Sequence, residues 1–201
     1  MITIIDYEAG NLRSVEKALE YLGFKAKISS SLKDILEADK LILPGVGAFG
    51  ECIGKLRNAR IDDCIRLSID RGKPFLGICL GLQLLFDESE ESPGAKGMSL
   101  FGGKNIKISK KPGLKIPHIG WNSIKYSKDC PIFYGIGEEP YVYFVHSYHI
   151  SPESNDIICA ETEYGETIPV AIHSENVYAT QFHPEKSGNV GLKILKNFGN
   201  L

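Results

Sequence analysis

The chain has 201 residues, 43% of them hydrophobic and 24% charged, with a formal net charge of −2. That length and balance fit one globular domain with a buried core, and they exclude a disordered chain and a basic surface for nucleic acid or anionic membrane. The five cysteines, at 52, 64, 79, 130 and 159, are odd in number and lack C-x-x-C spacing, so no disulfide framework and no metal site is expected, and a cytoplasmic location is.

Met1 leads directly into Ile2-Thr3-Ile4-Ile5, a short β-branched run without the flanks of a signal peptide or the length of a membrane span. A turn at Glu8-Ala9-Gly10-Asn11 follows. Leu12, Val15, Leu19 and Leu22 then recur at helical spacing, and Gly23 supplies a stop. Lys40-Leu41-Ile42-Leu43 reads as a second buried strand, halted by Pro44-Gly45. Ile61, Ile65, Leu67 and Ile69 predict a helix closed by Gly72. Pro74-Phe75-Leu76-Gly77-Ile78 is a third apolar strand, and a helix over about 80–86 follows it. Strand and helix alternating in this way indicate βαβ units, with a mostly parallel sheet covered by helices.

The second half reads differently. Pro93-Gly94, Gly102-Gly103 and Pro112-Gly113 make residues 87–118 loop-rich, an expectation of partial mobility. Short β-branched and aromatic segments occupy 105–108, 122–126, 141–146, 157–163, 170–173 and 177–181. Glycine and proline turns between them predict hairpins or an antiparallel extension of the sheet. A helix over 190–198 closes the chain. With no repeat, linker or low-complexity tract, residues 1–201 read as a single domain.

Gly77-Ile78-Cys79-Leu80-Gly81 places a cysteine between glycines at a strand-to-helix junction, the sequence form of a nucleophile elbow. Such a turn exposes the side chain, sets a helix N-terminus behind the thiolate and aims the N–H of Leu80 at a developing oxyanion. The plain alternative is a small buried cysteine in a glycine-rich turn. A thiol of ordinary pKa is only slightly ionised at neutral pH, so a base would help. Of histidines 118, 146, 149, 173 and 183, His183 is the candidate. In Gln181-Phe182-His183-Pro184-Glu185 a rigid proline separates an imidazole from a carboxylate that can orient it. A surface turn with an incidental histidine and acid is the alternative there. Pro44-Gly45-Val46-Gly47-Ala48 follows a buried strand, and its glycines let the amides of Val46 and Gly47 converge on an anion. A phosphate nest is the rival, without the lysine and hydroxyl that complete a P-loop.

Together these segments resemble the triad glutamine amidotransferases, and more narrowly the glutaminase subunits of imidazole glycerol phosphate synthases. The residues carrying the resemblance are Asp6-Tyr7, Gly10-Asn11, Pro44-Gly45-Val46-Gly47, the elbow with Gln83, and Glu90-Glu91. Gly120-Trp121-Asn122, Phe144-Val145-His146-Ser147-Tyr148 and His183-Pro184-Glu185-Lys186-Ser187 complete the set. The resemblance implies a flavodoxin-like three-layer α/β sandwich and hydrolysis of glutamine by Cys79, His183 and Glu185. It also implies an oxyanion hole from Leu80 with Val46 and Gly47, and glutamine contacts from Gln83, Glu91, Ser147 and Tyr148. It implies no cofactor. Its partner would be a (β/α)8-barrel cyclase subunit that receives the ammonia in histidine biosynthesis, with Asn11, Trp121 and Lys186 near the contact. Trp121 also reads as an ordinary core aromatic. Two other readings remain open: a paralogous synthase with another ammonia acceptor, and a binding module that kept the fold. An α/β-hydrolase fits less well, because there the acid precedes the histidine in the chain.

Overall fold

The computed structural model describes all 201 residues. Strand β1 (Ile2–Ile5) leads into helix α1 (Leu12–Tyr21), then β2 (Ala26–Ser29), α2 (Leu32–Glu37) and β3 (Lys40–Gly45). Helices α3 (Phe49–Asn58) and α4 (Ile61–Asp70) precede β4 (Phe75–Cys79) and the one-turn α5 (Leu80–Gln83). The second half supplies β5 (Glu88–Ser89), β6 (Gly103–Lys107), β7 (His118–Ser123), β8 (Lys125–Tyr126), β9 (Tyr141–His146) and β10 (Tyr148–Pro152). Strands β11 (Ile158–Glu163), β12 (Thr167–Ser174) and β13 (Val177–Thr180) follow, and α6 (Gly188–Gly199) closes the order.

Eight strands form one sheet in the order β2-β1-β3-β4-β13-β12-β11-β8. The first five are parallel and the last three antiparallel. Alternation along the strands explains the helices on both faces. Ile2, Ile4, Ile42 and Leu76 share a core with Val15, Leu19, Ile194 and Phe198 of α1 and α6. Their neighbours Ile5, Leu41, Leu43 and Phe75 point the other way, into a core with Ile35, Phe49, Leu56 and Ile65 of α2, α3 and α4. The result is the expected three-layer α/β sandwich. Because β2 and β3 flank β1, the winding reverses there, and clefts in such sheets open at the carboxyl ends of the strands.

The second half differs in detail from the sequence reading. The segment 122–126 is divided: β7 pairs only with β9 in a sheet of its own, while β8 joins the edge of the main sheet. A third small sheet has the order β10-β6-β5. The helix expected over 80–86 ends at Gln83. Past it the N–H groups of Leu85 and Phe86 bond back three residues, to the carbonyls of Leu82 and Gln83, so the fully buried Leu84-Leu85-Phe86 continues in tight turns.

The loop-rich stretch after α5 is tied to the body. Asp87 accepts the N–H of Gly103 at 2.9 Å. Asn105, fully buried on β6, donates to the carbonyls of Gln83 and Glu88, each at 3.0 Å. An Asn105→Ala substitution strands both carbonyls. We expect it to lower stability by about 2–4 kcal/mol, read as a shift of the urea midpoint with an unchanged slope.

Candidate active site

Strand β4 leaves the sheet at Cys79, whose φ of 56° and ψ of −107° lie outside the helical and extended regions. Such a conformation costs on the order of 1–3 kcal/mol for an L residue. It persists because its surroundings leave no alternative. A Cβ on Gly77 would stand 2.7 Å from the carbonyl oxygen of Gly81, and one on Gly81 would collide with the carbonyl of Leu43 on β3. The elbow glycines are therefore required by backbone approach, and α5 begins at the residue after Cys79.

Sheet register brings two more segments beside the thiol. Gly45 lies opposite Cys79 on one side, and Thr180 opposite Ile78 on the other. Past β3 the chain continues through Val46 and Gly47, the latter at φ 107°, a conformation open to glycine. The carbonyl of Val46 accepts a weak bond from the Cys52 thiol at 3.6 Å.

Past β13 the chain runs through Gln181 and Phe182 to His183. The His183 N–H bonds the Tyr143 carbonyl at 3.0 Å. The buried Ser187 hydroxyl donates to the His183 carbonyl at 2.6 Å and accepts the Tyr143 N–H at 2.9 Å. Pro184 opens a short 3-10 turn that folds Glu185 back under the imidazole. Its Oε1 meets His183 Nδ1 at 2.8 Å, with only 2% and 1% of the two side chains exposed. Burial opposes charge on His183. Its interactions with the Cys79 sulfur and with the Glu185 carboxylate outweigh it and push the imidazole pKa up to about 10. Nε2 makes no hydrogen bond to the protein, which leaves it for chemistry.

A cleft of about 260 Å³ opens over the sulfur. Nine residues singled out in the sequence line it: Val46, Gly47, Cys79, Leu80, Gln83, Glu91, Ser147, Tyr148 and His183. Glu185 stands behind His183, outside the cleft. Half of the Glu91 carboxylate is already committed, since Oε2 accepts the Phe49 N–H at 2.8 Å and caps α3. Both N–H bonds of the Gln83 side chain are also used, to the Tyr148 carbonyl at 3.1 Å and to Gln181 Oε1 at 3.0 Å. Asn11, Trp121 and Lys186 lie elsewhere. Asn11 precedes α1 and accepts the Ser14 hydroxyl at 2.8 Å. Trp121 on β7 is 54% exposed, with its ring 6.1 Å from that of Tyr143, and Lys186 Nζ sits 6.0 Å above the same ring. Trp121 is thus not a core residue.

Pro117, Val145 and His146 also line the cleft; Val145 and His146 were quoted only within the 144–148 motif and given no role, and Pro117 was not singled out. His146 Nδ1 donates to the Tyr148 carbonyl at 2.9 Å, which leaves Nε2 to accept from His118 Nδ1 at 3.0 Å. Burial pushes both imidazoles down, to about 3 for His146 and about 4 for His118, so this pair is neutral. Gln181 was quoted only as part of the His183 motif, yet its side chain reaches Cys79 Sγ at 3.6 Å. Alternating burial along 141–146 marks His146 as inward-facing, but nothing local marks its partner.

The titration of His183 has a checkable consequence. Its folded pKa lies above the ordinary 6.5, so protonation stabilises the fold; that contribution is complete below 6.5 and fades as pH rises toward 10. We expect the labelled imidazole of His183 to be protonated at neutral pH by NMR, and its midpoint to fall in Glu185→Gln. A parent midpoint at the ordinary histidine value contradicts the electrostatic account.

The family model of class-I glutamine amidotransferases matches residues 3–200. The chain is 53% identical to the imidazole glycerol phosphate synthase subunit HisH of Methanocaldococcus jannaschii, over 100% of both proteins. It is also 53% identical to the subunit of that name from Caldanaerobacter subterraneus subsp. tengcongensis, over 100% of this chain and 98% of the relative. In structure it is similar to a crystallised glutamine amidotransferase, with a TM-score of 0.77 at 19% identity and full coverage of both chains. PurLQS from Thermotoga maritima gives a TM-score of 0.75 at 23% identity, covering 99% of this chain and 97% of that one. A match from end to end, to sequences that share half of their residues with it, makes this chain a member of the class-I glutamine amidotransferase family.

Proposed function

We propose that this single domain hydrolyses glutamine through a thioester on Cys79 and delivers the ammonia to a partner synthase subunit. The observation that supports it most is the convergence, at the carboxyl edge of one sheet, of a strained cysteine with a sealed imidazole–carboxylate pair. The Cys79 thiolate attacks the side-chain amide carbon of glutamine. The resulting oxyanion faces the N–H of Leu80 and those of the Val46–Gly47 segment. His183, charged at rest, protonates the departing nitrogen, and ammonia leaves an acyl thioester. Neutral His183 then takes a proton from water as it attacks the thioester, which releases glutamate and restores thiolate and imidazolium. Glu185 holds the ring and stabilises its cation. Gln83, Glu91, Ser147 and Tyr148 hold the glutamine. With the hydrogens of Gln83 spent, its free Oε1 is an acceptor for a substrate N–H.

The synthase we assign is the imidazole glycerol phosphate synthase of histidine biosynthesis, after the HisH subunits to which the chain is similar. Its (β/α)8-barrel cyclase subunit would take up the ammonia. The exposed Trp121, Lys186 above Tyr143, and Asn11 supply the contact. Tyr143 connects that face to the catalytic pair, because its carbonyl holds the His183 N–H. The Val46–Gly47 peptide carries few restraints, so the free chain is expected to be a slow glutaminase that the partner accelerates.

Glutamate release is measured for the chain alone, then with the cyclase subunit and its ribonucleotide substrate. We expect strong stimulation in the mixture, abolished by Cys79→Ala and weakened by Trp121→Ala without loss of the basal rate. Turnover that survives Cys79→Ala rules out the covalent route. A cyclase active on free ammonium but without effect on glutamate release assigns the chain to another synthase.

A further inference from the structure

Gln181 is fully buried at the end of β13, two residues before His183. Its Nε2 donates toward Cys79 Sγ at 3.6 Å. The direction of this amide is fixed by its neighbour. Gln83 Nε2 donates to Gln181 Oε1 at 3.0 Å and to the Tyr148 carbonyl at 3.1 Å, which uses both of its hydrogens. Turning the Gln181 amide over would set two NH₂ groups against each other and an oxygen against the sulfur. Turning Gln83 over would oppose oxygen to oxygen at both of its bonds. Only one arrangement satisfies the pair, and it presents N–H to the sulfur. The main-chain N–H of Gln181 is held as well, by the Val170 carbonyl at 2.8 Å.

The sulfur needs such a donor once it loses its proton. As a thiol, Cys79 has a carbonyl acceptor in Val145 at 3.9 Å. A thiolate has no hydrogen to give, so that carbonyl no longer helps, and the residue is only 7% exposed to water. The His183 imidazolium supplies charge on one side of it, and a fixed neutral donor on the sulfur itself adds to that and sets its direction. We infer that Gln181 is the N–H donor to the attacking sulfur, holding the Cys79 thiolate and its direction, with Gln83 the positioning residue that orients it. This rests on the reading of Cys79 as the nucleophile.

Gln181→Glu keeps the shape and the acceptor for Gln83 while it replaces the donor with oxygen; Gln181→Met removes both. In the assembled complex, glutaminase kcat falls about 10- to 100-fold in each, with KM changed less than about 3-fold. Alkylation of Cys79 by iodoacetamide, followed against pH without glutamine, shifts its midpoint upward in both variants. Should neither variant fold, Gln83→Met leaves Gln181 free to rotate and gives a smaller shift in the same direction. An alkylation profile that superimposes on the parent overturns the inference, whether or not kcat has fallen. Cys79→Ala in the same complex separates the two readings. Residual turnover there removes the nucleophile itself, whereas abolished turnover beside an unshifted profile removes only the role of Gln181.

Discussion

The site depends on one reversal of the backbone. Lifting a side chain off the end of a buried parallel strand requires the chain to turn within a single residue, and Cys79 does so at a positive φ that only a rigid frame sustains. The frame is the sheet itself. Gly81 sits against the carbonyl of Leu43, so β3 must be in place before the elbow can close. β3 in turn lies between β1 and β4, paired along its length. The same pairing fixes where Val46 and His183 emerge. The proposed nucleophile, base and anion loop are therefore consequences of one register rather than three separate placements.

Around this frame the buried polar groups are arranged so that few directions are free. The Tyr148 carbonyl accepts from both Gln83 and His146. His146 accepts from His118, and Gln83 donates to Gln181. Each partner removes one rotamer or tautomer from the next, and burial keeps the two histidines neutral so that the chain of donors is not reversed near neutral pH. His183 is the exception. It alone among these imidazoles faces a carboxylate at 2.8 Å, and it alone is pushed toward the charged form. Similar burial with different partners separates a histidine held neutral from one held ready for the proposed proton transfers.

Sequence patterning disclosed the parallel layer well, because β1, β3 and β4 are buried on both faces and read as continuous apolar runs. It missed β2, an edge strand whose Ala-Lys-Ile-Ser is half-buried throughout. Helix α3 was missed for another reason. It opens with Phe49-Gly50 and contains Gly54, each glycine costing a helix about 1 kcal/mol. Its first N–H groups are capped by Glu91 and Ser92, 42 residues away. The motif around His183 was legible because proline confines its two partners to adjacent positions. Gln181 and His146 were quoted in their motifs but given no role, since their significance lies in pairings across 102 and 28 residues that no local pattern encodes.

The two halves of the proposed oxyanion hole differ in how firmly they are held. Leu80 is fixed by the elbow and is 4% exposed. Val46 is 44% exposed, and its peptide to Gly47 is tied by a single thiol bond of 3.6 Å, a weak one by chemistry. Val46 and Gly47 also border a second cavity of about 370 Å³, together with Gly10 and Cys52, so this peptide has space on both of its sides. Rotation of a peptide needs room and a flanking residue tolerant of φ, and Gly47 supplies the tolerance. Gly10, next to Asn11, packs against Pro44, two residues before Val46. On the proposed mechanism, then, the donor beside the nucleophile is rigid and the opposite donor is the least restrained backbone in the cleft. On that reading the rate of the site would follow how often this one peptide points inward, and a partner docked at the proposed contact beside Asn11 would bear, through Gly10 and Pro44, on the segment that sets it.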